Sequence, residues 1–265
     1  MPEKPYLLID AGGTTVFPNP EILINFAQTH GITLTNEKLY EGYYRLIYLL
    51  DNQDHFPRTP WPNGYTLALL DVLGFSGQNA KRMAQEVNSY HKQTSLWTFT
   101  YPWVHEALAK LKEKGYRMSI LSNSDGRTKL IFDKLGLSQY FEHIYDSEYL
   151  KCEKPDRRIF DMVLSQLSIQ PKNILYIGDI FSVDILGANQ AEIGGIHLDP
   201  LRLYRDQPGI HLDNITILEN WLATFNNYQT QFTSKLFPFS NKGVINSISN
   251  PDRVSPQKQL SEIVR

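Results

Sequence analysis

The chain has 265 residues, 42% hydrophobic and 20% charged, with a formal net charge of −2. This balance gives enough apolar mass for one large domain or two modest ones, and it excludes the basic stripe of a nucleic-acid binder and a polybasic membrane patch. A single cysteine, Cys152, excludes an internal disulfide and a multi-cysteine metal cluster.

The first segment, YLLID (6–10), is an apolar run that ends on an acid. It is predicted to be a buried strand, and Ala11-Gly12-Gly13-Thr14-Thr15 after it a turn that exposes backbone amides. Residues 19 to about 95 are helical in pattern: PEILINFAQTHG, TNEKLYEGYYRLIYLLD, GYTLALLDVLGF and QNAKRMAQEVNSYHKQ, with no strong strand among them. The aromatic-rich YEGYYRLIYLL reads as core at helical spacing. TSLWTFTYP is the return linker. From there strands and helices alternate. VHEALAKLKEKGY is a helix with Gly115 as its stop, then come the strand RMSILSN (117–123), the helix GRTKLIFDKLGL and the strand HIYDS (143–147). The helix RRIFDMVLSQLSI and the strands ILYIGD (174–179) and GGIHLD (194–199) complete the series.

Continuous apolar strands alternating with helices imply an α/β fold, a Rossmann-like parallel sheet covered on both faces. The expected division is a core of 1–16 and 97–225, a helical insertion over 17–96, and an Asn-, Ser- and Pro-rich tail over 226–265. The tail is expected to be partly disordered, with KLFPF as a segment that docks on the body. The N-terminus lacks a basic region followed by a long apolar run. No apolar stretch approaches the ~20 residues that span a bilayer. The expectation is a soluble, cytoplasmic protein with no nucleic-acid or membrane partner and an unassigned oligomeric state.

Ligands of open α/β sheets bind beyond the carboxyl ends of the strands, so the polar residues that end each run are informative as a set. Asp10 ends the first, Ser122-Asn123 the second, and Gly178-Asp179 the fourth; Glu153-Lys154-Pro155 follows the third, and Asp184 lies just past Asp179. Two carboxylates across one crevice call for a hard cation such as Mg²⁺. A hydroxyl, an ammonium and exposed amides suit phosphate oxygens. Together they make a phosphoryl-transfer set with Asp10 as nucleophile. Taken singly, each piece is also what a strand-end turn, a helix cap or a solvated loop provides. Their order and placement favour the set.

With these residues in that order, the chain resembles the haloacid dehalogenase-like hydrolase superfamily, in the branch with a helical cap inserted after the first strand. The four motifs of that family are matched by DAGGT, SN, the lysine of EKP, and GDIFSVD. The stretch from Ser122 to Leu164 also resembles the rhythmically-expressed-gene-2-like, haloacid dehalogenase-like domain 3 group. The likeness covers roughly residues 5–225. It implies a Mg²⁺-dependent phosphohydrolase of a small phosphorylated metabolite, working through an aspartyl-phosphate on Asp10. Asp179 would bind Mg²⁺ with Asp10 and the Gly12 carbonyl, and Asp184 would be a further ligand or an outer carboxylate. Ser122 would hydrogen-bond a phosphoryl oxygen, and Lys154 would neutralise charge. Thr14 and Asn123 are expected substrate contacts in the core, His55 and Arg58 in the cap.

One departure stands out. Phosphatases of this family usually carry a second aspartate two residues after the nucleophile, as general acid and base. Here that position is Gly12. Such a group contributes ~10²–10⁴-fold, about 3–5 kcal/mol of barrier. Three outcomes follow: a substrate with a good leaving group, a stand-in such as His55, or a weakly active or inactive protein with a binding or regulatory role. Relatives that cleave carbon–halogen bonds also lack that aspartate, but GDIFSVD resembles the Mg²⁺-using type, which disfavours a 2-haloacid dehalogenase. Phosphonate cleavage would need a cap lysine, for which Lys38 is a weak candidate.

Overall fold

The computed structural model describes residues 4–52, 64–227 and 236. In chain order the elements are β1 (Tyr6–Ile9), α1 (Pro20–Thr29), α2 (Asn36–Asp51), α3 (Gly64–Val72), α4 (Gly77–Thr94), α5 (Pro102–Glu113) and β2 (Met118–Ser122). There follow α6 (Thr128–Lys134), β3 (His143–Asp146), α7 (Ser147–Leu150), α8 (Arg157–Leu167) and β4 (Ile174–Gly178). The last are α9 (Leu186–Gln190), β5 (Gly194–Leu198), β6 (His211–Leu212) and α10 (Leu218–Asn227). The described residues divide into two compact units, one through Thr15 and again from Thr100 onward, the other Val16–Phe99.

The first unit is built on a six-stranded sheet in the order β3-β2-β1-β4-β5-β6, with every pairing parallel. Strands covered on both faces read as unbroken apolar runs; β1, β2, β4 and β5 are buried at every position. The helices contribute one apolar face each: Val104, Ala107, Leu108 and Leu111 from α5, and Ile159, Phe160 and Val163 from α8. Past α5, Gly115 adopts φ +76° and turns the chain into β2, while α8 begins where the Asp156 carboxylate accepts from the Arg158 amide. Because β1 lies between β2 and β4, the strand order reverses there. That crevice is where open α/β sheets take their ligands, and Asp10 and Asp179 are the residues that follow β1 and β4.

One feature of this unit lies outside the expectation: β6 is a two-residue strand paired to β5, too short to leave a pattern in the sequence. Within the KLFPF segment, expected to dock on the body, Leu236 is buried, and its carbonyl accepts from Asn189 Nδ2 at 3.0 Å. The rest of the expected tail, 228–235 and 237–265, lies outside the described residues.

The second unit consists of α1–α4. Its two chain ends pair through an antiparallel bridge, Phe17 to Phe99. Asn19 caps α1 by accepting from the Glu21 and Ile22 amides, with Pro20 at the first helical position. The aromatic run of α2 is core, as its spacing implies: Tyr43 packs edge-on against Tyr44 and Trp97, and Leu46, Ile47 and Leu50 are buried beside it. Among the described residues, no helix is long and apolar enough to cross a membrane.

Candidate active site

Lys154 is the hub of the β1/β4 crevice. Its side chain is fully buried, and Nζ donates to Asp10 Oδ1 at 2.5 Å, to Asp184 Oδ1 at 2.7 Å and to the Tyr176 hydroxyl at 2.7 Å. An ammonium carries three hydrogens, so these contacts saturate it. Tyr176 passes its own hydrogen on to the Leu121 carbonyl at 3.1 Å. The main chain of Lys154 is held as firmly. Asn123 Oδ1 accepts from the Lys154 amide at 2.8 Å, and Asn123 Nδ2 donates to the Lys154 carbonyl at 2.9 Å.

The loop after β4 is shaped around Asp184. Phe181–Ile185 form a widened π turn, a form frequent at functional sites. In it Asp184 Oδ2 accepts from the Ile180 amide at 3.0 Å. The carboxylate folds back over Gly178, where a Cβ would meet Asp184 Cγ and Oδ2 at 2.4 Å. Gly178 therefore owes its identity to this close approach rather than to the turn alone.

The loop after β1 is different. Gly13 has φ +71°, whereas Gly12 is not in the left-handed region. The conformational need for glycine is at 13, and position 12 is free of it. The Thr14 and Thr15 amides both point inward to the Ala11 carbonyl, at 3.3 and 2.9 Å. These two are thus not the exposed amides expected of the turn. Thr14 is buried, and its Oγ1 has no hydrogen-bond partner.

One carboxylate oxygen from each of Asp10, Asp179 and Asp184 lies within 4.8 Å of the other two, all three buried. Burial, reinforced by Asp184 and opposed by Lys154, pushes the Asp10 carboxyl up to about 7. Burial alone would lower the Lys154 ammonium, but Asp10 and Asp184 outweigh it and hold it above its usual range. Burial also drives the Tyr176 phenol well up, so it stays a neutral donor. Three buried carboxylates thus face one ammonium, a deficit that a divalent cation closes. Asp10 Oδ2 is buried without a hydrogen-bond partner. An all-oxygen donor set of this kind fits Mg²⁺.

Of the residues singled out in the sequence, Asp10, Lys154, Asp179 and Asp184 are brought together. Ser122 ends β2 next to β1, buried. Asn123, expected to touch substrate, spends its amide on the Lys154 peptide. His55 and Arg58 lie outside the described residues. Tyr176 escaped the sequence reading. A tyrosine in an otherwise aliphatic buried strand needs a partner for its hydroxyl, and that was the available signal.

A profile of the family described as haloacid dehalogenase-like hydrolase matches residues 65–197, which takes in Lys154, Asp179 and Asp184 but not Asp10. A glyceraldehyde 3-phosphate phosphatase from Methanothermobacter thermautotrophicus is 32% identical over 111 residues, 41% of this chain and 48% of the relative. The haloacid dehalogenase-like hydrolase domain-containing protein 3 of Mus musculus is 27% identical over 176 residues, 61% of this chain and 67% of the relative. The match thus spans about half the length of the first of these curated relatives. Among solved structures, Bacillus subtilis YfnB bound to magnesium superposes with a TM-score of 0.56 at 18% identity, covering 83% of this chain and 99% of that one, a likeness of fold.

Proposed function

The chain belongs to the haloacid dehalogenase-like hydrolase family, and from that premise we propose that it is a Mg²⁺-dependent phosphohydrolase of a small phosphorylated metabolite with Asp10 as nucleophile. The observation that carries this reading is the buried Asp10–Lys154–Asp184 cluster beside Asp179 at the strand-order reversal. Asp10 and Asp179 would hold the ion, with the Gly12 carbonyl as a further ligand, and bound Mg²⁺ would supply charge neutralisation for the approach of one anion to another.

The chain's own residues account for the rest. Lys154 grips Oδ1 of Asp10, keeping the carboxylate oriented and leaving Oδ2 without a hydrogen-bond partner. Asp184 and Tyr176 fix the ammonium that does this, and Asn123 fixes its backbone. Asp10 attacks phosphorus, the ester bond breaks, and Lys154 and Ser122 offset charge on the transferring group. What Gly12 cannot do is protonate the leaving oxygen or deprotonate the water that later cleaves the aspartyl-phosphate. Acyl and aryl phosphates, whose leaving groups depart largely unaided, are therefore the favoured substrates. A cytoplasmic setting without nucleic-acid or membrane partners belongs to the same proposal, supported by the near-neutral charge and single cysteine.

Phosphate release with Mg²⁺ tests this. Acetyl phosphate, p-nitrophenyl phosphate and a set of alkyl phosphates, glyceraldehyde 3-phosphate and 2-phosphoglycolate among them, are compared in wild type and Asp10→Asn. Release from the first two that disappears in the variant is expected. Release undiminished in Asp10→Asn overturns the assignment. No release from any of them, and no phosphate trapped on Asp10, favours the low-turnover binding protein that Gly12 also suits.

A further inference from the structure

At the β5–β6 edge of the same sheet, a second polar cluster serves no purpose in the chemistry above. The strand register sets His197 of β5 beside His211 of β6, and Asp199 follows β5 directly. His197 and Asp199 are buried.

The tautomers of both rings follow from their outer contacts. His197 Nε2 lies 2.9 Å from the Asp179 carbonyl, and His211 Nε2 lies 3.0 Å from the Gln207 carbonyl. A carbonyl only accepts, so each Nε2 carries the hydrogen. In the neutral rings each Nδ1 is then a lone pair, and the two Nδ1 atoms are 3.0 Å apart. Two lone pairs at that distance repel unless something positive is shared between them, a proton or a metal ion. A carboxylate oxygen of Asp199 lies within 4.8 Å of a ring nitrogen of each histidine, a third donor that a metal ion uses and a proton shared by two rings does not.

The other requirements of a metal site are also in place. One ligand atom from each of His197, Asp199 and His211 lies within 4.8 Å of the other two. The Asp199 carboxylate is fixed by the Leu203 and Tyr204 amides, both at 2.9 Å. Ring N–H groups anchored to carbonyls are the outer partners that metal-binding histidines characteristically have. Phe181 packs against both imidazoles and Tyr204 edges onto His197, which walls the cluster with aromatic surface.

We propose that His197 Nδ1, His211 Nδ1 and the Asp199 carboxylate form a binding site for a borderline divalent transition ion of the Zn²⁺ class, separate from the all-carboxylate site in the crevice. Two imidazoles and one carboxylate suit zinc rather than magnesium, and three protein ligands leave a position open. The ion would staple the two-residue β6 to the sheet. Through the His197 bond to the Asp179 carbonyl it would also brace the loop that carries Asp179. The proposal stands whether or not Asp10 is a nucleophile.

The test uses the full chain, stripped with chelator and held in saturating Mg²⁺ so that the carboxylate site is occupied. Zn²⁺ binding is measured by calorimetry, and Co²⁺ replaces it for absorption spectroscopy. One equivalent is expected to bind, with the ligand-field bands of a low-coordinate nitrogen and oxygen site. His211→Gln, at the partly exposed position, is expected to weaken binding by more than the ~10–100-fold that loss of an outer partner costs, and to abolish the Zn²⁺-dependent rise in Tm. Asp10→Asn is expected to leave both intact. Wild type that binds Zn²⁺ no better than His211→Gln overturns the proposal, as does loss of binding in Asp10→Asn.

Discussion

The loops after β1 and β4 face one crevice but are finished to different degrees. The β4 loop is complete: Gly178 makes room for Asp184, the π turn presents it, the Ile180 amide fixes one oxygen and Lys154 the other. The β1 loop carries Asp10, the proposed nucleophile, but has Gly12 where the resemblance implies an acid, although the backbone there is not in the left-handed region. On the proposed mechanism the charges are in place and the proton carrier is absent. This difference says that forming the phosphoenzyme and discharging it should be affected separately.

Removing the cation of the complete half gives the largest expected effect. Lys154→Met leaves Asp10 and Asp184 buried without their common partner, a change that costs about 3–5 kcal/mol of stability. Chemical denaturation should show this, with phosphate release at background. Added Mg²⁺ should recover part of the loss in the variant. A variant as stable as wild type would mean that the ammonium is not what holds the carboxylates.

Gly12→Asp addresses the incomplete half. With no positive φ to oppose a side chain, the variant should fold. Turnover of alkyl phosphates should rise by up to ~10²–10⁴-fold, with a smaller gain on acetyl phosphate. Equal gains on both classes would detach Gly12 from leaving-group protonation.

Gly178→Ala sharpens the contrast from the other side. The new methyl displaces the Asp184 carboxylate at a cost of about 1–3 kcal/mol, and weakened Mg²⁺ affinity by calorimetry should accompany the loss. Tyr176→Phe is the mildest. It removes one bond to Lys154 and one to the Leu121 carbonyl, about 1–2 kcal/mol in thermal or denaturant unfolding.

The legibility of the site in the sequence follows the same physics. Buried parallel strands announce themselves as apolar runs, so the acids that end them, Asp10 and Asp179, stand out without any structure. Asn123 does not, because its partner is a peptide group 31 residues away, and a cap or a substrate contact is the nearer reading. Tyr176 is hidden because an aromatic in a strand reads as packing until its hydroxyl is traced. His197 reads as a structural histidine, since its neighbour His211 arrives only by a two-residue strand that periodicity cannot reveal. His55, the candidate stand-in for the acid, and Arg58, the other expected cap contact, lie in a Pro- and aromatic-rich stretch outside the described residues.

On the proposed mechanism, this site makes an aspartyl-phosphate more readily than it discharges one. Rapid quenching with p-nitrophenyl phosphate and Mg²⁺ tests it most directly, reading p-nitrophenol release and phosphate bound to protein on the same samples. A burst of p-nitrophenol close to one per chain is expected, matched by phosphate on Asp10, then slow turnover, with the burst gone and turnover faster in Gly12→Asp. Linear release from the first turnover in wild type, with no phosphoenzyme and no gain from Gly12→Asp, would contradict it.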